Sequence, residues 1–119
     1  MVYTSSSTAL CALEILVHLG ASIVPRDHVL IEIDVPDEIT ARCMELNPLP
    51  PGWDSMPESD EAKKAGTAWA KSQQSALLRV PSVIAREDWN YLINPLHPDT
   101  KKLTAAITRD FQFDPRMFR

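Results

Sequence analysis

From Thr8 to Leu19 the chain carries apolar residues on nearly every side of a helical period: Ala9, Leu10, Ala12, Leu13, Ile15, Leu16, Val17 and Leu19 leave no solvated face. This pattern predicts a buried helix. Ser5-Ser6-Ser7 offers hydroxyls to cap its start, and Gly20 suits the left-handed residue that follows many helix ends. Ahead of it, the β-branched and aromatic run Val2-Tyr3-Thr4 reads as a short strand. From Val29 to Val35 the period changes to two, with Val29, Ile31, Ile33 and Val35 on one face and Leu30, Glu32 and Asp34 on the other, as a half-buried strand requires. Pro36 ends it, and Asp37 can cap a short helix across Glu38 to Met44.

Asn47-Pro48-Leu49-Pro50-Pro51-Gly52 reads as a loop, because proline fixes φ and removes backbone donors. Pro57 to Ser72 is rich in Glu, Ala and Lys, with Ala62, Ala65 and Trp69 at helical spacing, and predicts a second, amphipathic helix. Leu77-Leu78-Arg79-Val80 and Val83-Ile84 flank Pro81, which suggests an extended segment bent or bulged at the proline. Tyr91-Leu92-Ile93 is a further short strand, Asp99 to Ala105 begins as a capped helix, and Phe111 and Phe113 around Gln112 suit a final edge strand. Strands and helices thus alternate without internal repeats, which indicates an α/β or α+β domain and leaves its topology open.

At 119 residues the chain has room for one hydrophobic core, so residues 1–119 are read as a single domain. Apolar residues at 45% and charged residues at 24% exclude disordered and fibrous classes. No run approaches the roughly 20 apolar residues of a membrane span, and the apolar start lacks a cationic leader, so a cytoplasmic protein without membrane association is expected. The net charge of -4, with only the isolated doublets Lys63-Lys64 and Lys101-Lys102, argues against nucleic acid as a partner. Cys11 and Cys43 fall in no CxxC pair or Cys/His cluster, so reduced thiols in or near the core are expected and no metal site.

Among residues able to carry chemistry, Glu14 stands out. Its neighbours one turn away are Leu10, Cys11 and Val17, with His18 the one possible polar partner. A buried carboxylate without partners is too costly to keep, so Glu14 must meet donors, a wet cleft or the helix edge. The residues alone favour a structural ion pair or a frayed edge. Ser82, after Pro81, could turn its hydroxyl into a cleft or satisfy backbone at a bulge, and without a G-x-S-x-G elbow it has little support as a nucleophile. His97 reads as a loop-capping or packing histidine, and His18 and His28 carry no specific signal. Trp53 could cover an apolar patch under the proline loop or stack on a base, with packing the simpler role, as for Trp69 and Trp89. Asn90 and Asn94 bracket a short strand and are most simply turn residues.

Four segments in order carry a resemblance: Val2 to Glu14, Leu78-Arg79-Val80-Pro81-Ser82, Asn90-Tyr91-Leu92-Ile93-Asn94-Pro95-Leu96-His97-Pro98, and Phe111 to Arg116. Together with Leu30-Ile31-Glu32-Ile33 and the Pro-Gly-Trp loop, they resemble the RES domain family, bacterial toxins of toxin-antitoxin pairs. The family takes its name from an arginine, a glutamate and a serine. The last two are similar to Glu14 and Ser82, whereas no arginine here has the family context, and that role is carried to none of them. In the family the arginine lies upstream, so the chain reads as a RES domain without its first strands.

The resemblance implies a fold similar to ADP-ribosyltransferases, with a small mixed sheet and flanking helices. It implies NAD as substrate, consumed by hydrolysis or phosphorolysis of the nicotinamide–ribose bond or by transfer of ADP-ribose, with no metal. Glu14 would stabilise the oxocarbenium-like transition state, Ser82 would hydrogen-bond the nicotinamide ribose, Tyr3 would stack on nicotinamide, and Asn94 would join the NAD-binding residues. A cognate Xre-like antitoxin would hold the toxin inactive. The alternative is a shortened, inactive domain that only binds the antitoxin. Sheet edges left open by absent strands would also favour a homo-oligomer.

Overall fold

The computed structural model describes residues 1–19, 26–55 and 58–118. Gly20 and Pro57, expected at a helix end and a helix start, lie outside the described residues. Strand β1 (Val2–Ser5) leads into helix α1 (Thr8–Leu19), where the Ser7 Oγ accepts the Leu10 amide at 3.1 Å, an N-terminal hydroxyl cap. There follow β2 (His28–Asp34), the single turn α2 (Asp37–Thr40), β3 (Met44–Glu45), α3 (Asp60–Ser72), β4 (Leu77–Pro81) and β5 (Trp89–Ile93). A 3-10 turn over Pro98–Lys102 precedes β6 (Thr104–Phe111), and another over Pro115–Phe118 ends the described chain.

The expected mixed α/β fold is present. One sheet runs β1-β5-β4-β3, antiparallel between β1, β5 and β4 and parallel between β4 and β3; a separate antiparallel ribbon pairs β2 with β6. The apolar run in β4 buries both of its faces. Leu77 pairs with Ile93 and packs on Ala76 and Ile39 of α2, whereas Leu78 pairs with Leu92 on the other face, against Trp69 of α3. Trp69 donates its indole N–H to Ser75 Oγ at 2.9 Å, and Ser75 passes its own proton to the Leu77 carbonyl at 2.7 Å, so the polar end of the largest core side chain is satisfied. Helix α3 is capped by Ser59, whose Oγ accepts the Ala62 amide, and it closes on Gln73 in the left-handed region.

Several expectations from the sequence are corrected. Helix α1 is not buried all round: only Leu10 is, while Val17 and Leu19 are exposed. It lies between two surfaces, with Cys11, Ala12 and Ile15 toward His28, Leu30 and Phe113 of the ribbon region and Glu14, Val17 and His18 toward a cleft. In β2, Val29 and Ile31 are exposed instead of buried. The pairing slips by one residue between Leu30 and Ile31, and the twisted ribbon turns Leu30 toward α1 but Ile33 and Val35 toward the Ile39 cluster. The helix expected over Glu38 to Met44 stops at Thr40, because Met44 and Glu45 pair with β4. The helix expected over Asp99 to Ala105 is only a 3-10 turn over Pro98–Lys102, and its cap is His97, whose Nδ1 accepts the Asp99 amide. The alanines after it extend as β6, where pairing with β2 overrides local helical preference. Phe113 lies beyond that strand, buried and edge-on to Phe111 and His28.

Cys11 and Cys43 are free, half-buried thiols, and burial raises the Cys43 pKa against the opposing pull of Arg79. Truncating Leu78, fully buried at the centre of the sheet, should lower unfolding free energy by about 3 kcal/mol in urea titrations. Ile107→Ala, at a ribbon residue that is 68% exposed, should change it by less than about 0.5 kcal/mol.

Candidate active site

Three strands and one helix converge on Glu14. The antiparallel register sets Ser5 of β1 and Val80 of β4 opposite Asn90 of β5, and Ser82 follows directly after β4 in the connection to β5. That connection is fixed by the Ser82 amide on the Asp88 carbonyl at 2.9 Å and the Asp88 amide on the Ala85 carbonyl at 2.8 Å. Ser82 Oγ accepts the amides of Ile84 and Ala85 at 3.2 and 3.1 Å and donates its proton to Glu14 Oε1 at 2.7 Å. Asn90 Nδ2 donates to the same oxygen at 2.8 Å. Which end of the Asn90 amide faces Glu14 is decided by Ser5, whose hydroxyl donates to Asn90 Oδ1 at 2.7 Å and leaves only the NH₂ for the carboxylate.

Oε1 of Glu14 is therefore held by two donors, and Oε2 has no hydrogen-bond partner among the described residues. Glu14 lines a cleft of about 780 Å³, within the range of small-molecule sites. Leu78, Val80, Asn90 and Leu92 form its floor; α1 and α3 supply walls, and Leu49, Pro50 and Trp53 of the proline loop lie along it. The loop is anchored to the start of α3 by Ser59 Oγ donating to the Pro51 carbonyl at 3.0 Å. Gly52 makes that approach possible: its φ is +70°, and a Cβ there would come within 2.9 Å of the Ser59 Cβ. Tyr3 stands at the cleft, 68% exposed, with its phenol pKa raised by partial burial and then by the Glu58 carboxylate, so it is a neutral phenol at physiological pH.

The site expectations divide. Glu14 and Tyr3 share the cleft. Ser82 is brought to Glu14 but is fully buried, with its proton given to the carboxylate, so it positions Glu14 and has no hydrogen free for a ribose. Asn94 is not brought to the cleft: it is also fully buried, its Nδ2 donating to the Ala70 carbonyl at 2.9 Å and its Oδ1 accepting the Leu96 amide at 3.1 Å, a brace between β5 and α3. Asn90, read as a turn residue, is the site residue that sequence reasoning passed over; the alternation Asn90, Leu92 on one face of β5 carried the only signal. His18 bonds the Glu14 backbone carbonyl at 2.9 Å, not its carboxylate. Trp53 lies in the cleft wall, with the Arg86 guanidinium 5.6 Å from its ring centre.

Among the described residues no group of three or more His, Cys, Asp or Glu is placed to hold a metal ion, and no helix is long and apolar enough to cross a membrane. A carboxylate tethered by one oxygen and free at the other, in a largely apolar cleft, is equipped to stabilise a cation or to accept a proton or hydrogen bond from a ligand hydroxyl.

Comparison with known proteins matches residues 1–114 to the RES domain. A protein of Sphingobium sp. named Prs ADP-ribosylating toxin is 47% identical over 121 residues, covering 100% of this chain and 75% of that one. Proteins named Toxin Res from Pseudomonas putida and Photorhabdus laumondii are 34% and 31% identical, each alignment covering 99% of this chain and 79% and 76% of theirs.

Removing the Ser82 hydroxyl orphans two backbone amides and one tether of Glu14, so Ser82→Ala should cost about 2 kcal/mol of unfolding free energy. Ser5→Ala, which frees only the Asn90 amide, should cost about 1 kcal/mol on the same measurement.

Proposed function

This chain belongs to the RES domain family, and from that premise we propose that it cleaves the nicotinamide–ribose bond of NAD. The observation carrying this reading is the Glu14 carboxylate, with Oε1 fixed by Ser82 and Asn90 and Oε2 left for a ligand in the cleft. As the bond breaks, its electron pair leaves with nicotinamide, and positive charge develops on the ribose carbon and ring oxygen. A fixed carboxylate oxygen stabilises that charge, more strongly where the walls exclude water. Water, inorganic phosphate or a protein side chain then forms the new bond at the ribose carbon, giving ADP-ribose, its phosphorylated form or an ADP-ribosylated protein. The name of the Sphingobium relative supports the last of these. Tyr3, a neutral phenol at the cleft, offers a ring on which nicotinamide stacks. In this reading the protein is a toxin acting on the cytoplasmic NAD pool, and a cognate Xre-like antitoxin holds it inactive.

Glu14→Gln tests the role cleanly. Its amide oxygen still accepts from Ser82 and Asn90, while an NH₂ replaces the charged oxygen that faces the cleft. Nicotinamide release from NAD should fall by at least roughly 100-fold, the scale of a lost preorganised electrostatic contact, with folding intact by circular dichroism. Equal release by the two proteins would overturn the assignment, and the fate of the ADP-ribose label separates free product from modified protein.

A further inference from the structure

Resting on the NAD-cleft reading above, we propose that Lys63, assisted by Thr67, binds the diphosphate of the dinucleotide on the α3 wall of the cleft. Arg42, Arg79, Arg86, Lys102 and Arg116 are each paired with a carboxylate, respectively Asp99, Glu45, Asp54, Glu38 with Asp99, and Asp114. Among the described residues, Lys63 is the only lysine or arginine that lines the cleft, and it enters no ion pair there. The other ionisable side chains in the lining are Glu14, Glu58, His18 and Tyr3. A ligand carrying two phosphate charges meets two carboxylates in this space, and Lys63 is the lysine or arginine placed to offset them.

Helical geometry supplies the second donor. Thr67 stands four residues on from Lys63, on the same face of α3, and also lines the cleft; its hydroxyl makes no hydrogen bond among the described residues. Ala62 and Gly66 occupy the neighbouring strip of the helix, where the Met1 side chain covers Gly66, so the ammonium and the hydroxyl stand at its exposed border. An ammonium acts on a diphosphate as a point charge with three donors and needs no bidentate geometry. Glu14 is held on α1 and Lys63 on α3, so the two helical walls divide the ligand: the ribose to be cleaved on one, the diphosphate on the other.

The test uses full-length protein carrying Glu14→Gln, so that binding is measured without turnover, with titration calorimetry against NAD, ADP-ribose and nicotinamide riboside. Adding Lys63→Ala should weaken NAD and ADP-ribose binding by roughly 10- to 100-fold, as expected for a lost charge-assisted contact, and leave nicotinamide riboside within about twofold. Lys63→Arg should recover most of the loss, and Thr67→Val should weaken NAD by about fivefold. In protein with Glu14 intact, Lys63→Ala should raise KM with kcat little changed, which a merely structural role would not produce. NAD binding that is unchanged by Lys63→Ala overturns this proposal while leaving the Glu14 reading standing. No binding of NAD or ADP-ribose with Lys63 present, together with equal nicotinamide release by protein with and without Glu14, overturns both.

Discussion

An ionisable side chain in an otherwise apolar helix survives only if donors meet it, and the two donors that meet Glu14 come from the ends of one antiparallel pair. Ser82 leaves β4 as Asn90 enters β5, so the turn joining these strands brings both groups to the same carboxylate oxygen. The pairing register is therefore a chemical requirement as well as a structural one. A slip of one residue would send Asn90 to the opposite face of the sheet and replace it with an apolar neighbour. The slip is resisted by the same strands a few residues on, where Leu77 with Ile93 and Leu78 with Leu92 fill the two faces against different partners. Site geometry and core packing are thus set by one pair of strands, and Leu78 and Leu92 belong to both, as core residues and as floor of the cleft.

That arrangement explains which parts of the fold were legible in the sequence. Helices α1 and α3 were, because their periodicity is long, and the serine run that includes Ser7 marks the start of α1; the cap of α3, Ser59, was not singled out, since that helix was expected to begin at Pro57. Strands β2 and β5 were visible as short runs, but the exposure of Val29 and Ile31 follows from a pairing slip that only β6 reveals. Strand β6 itself was hidden, since Thr104-Ala105-Ala106 has no local reason to be extended apart from its partner. At the site, Glu14 announced itself by contrast with its neighbours. Asn90 did not, because an asparagine before an apolar run has the same appearance whether it turns the chain or holds a carboxylate. The difference lies in Ser5, 85 residues earlier, whose hydroxyl orients the Asn90 amide.

Ser82 and Asn94 show a related effect. Both are polar, both adjoin proline-marked strand ends, and both are completely buried, yet they serve different ends. The criterion that separates them is where their hydrogen bonds go. Asn94 satisfies itself wholly on backbone groups and ties β5 to α3, whereas Ser82 accepts from backbone and donates to a side chain that lines the cleft. The buried serine is consequently a device for transmitting the rigidity of a turn to a carboxylate one helix away.

Rigidity of this kind matters most where the surroundings are apolar. A carboxylate free to rotate would find solvent at the cleft mouth and lose much of its effect on a charge developing inside. With Oε1 held by one donor from β5 and one from the β4–β5 connection, reorienting Oε2 would require breaking a 2.7 Å and a 2.8 Å hydrogen bond together, one of them to a serine with no exposed surface. For the proposed cleavage of NAD, the reorganisation that water would demand as the bond breaks would then already be met in folding, through the conformational and desolvation costs of burying Ser82. The proline loop extends the same logic: Gly52 lets it close on Ser59, and Trp53 then presents a flat apolar wall to the space that Glu14 faces.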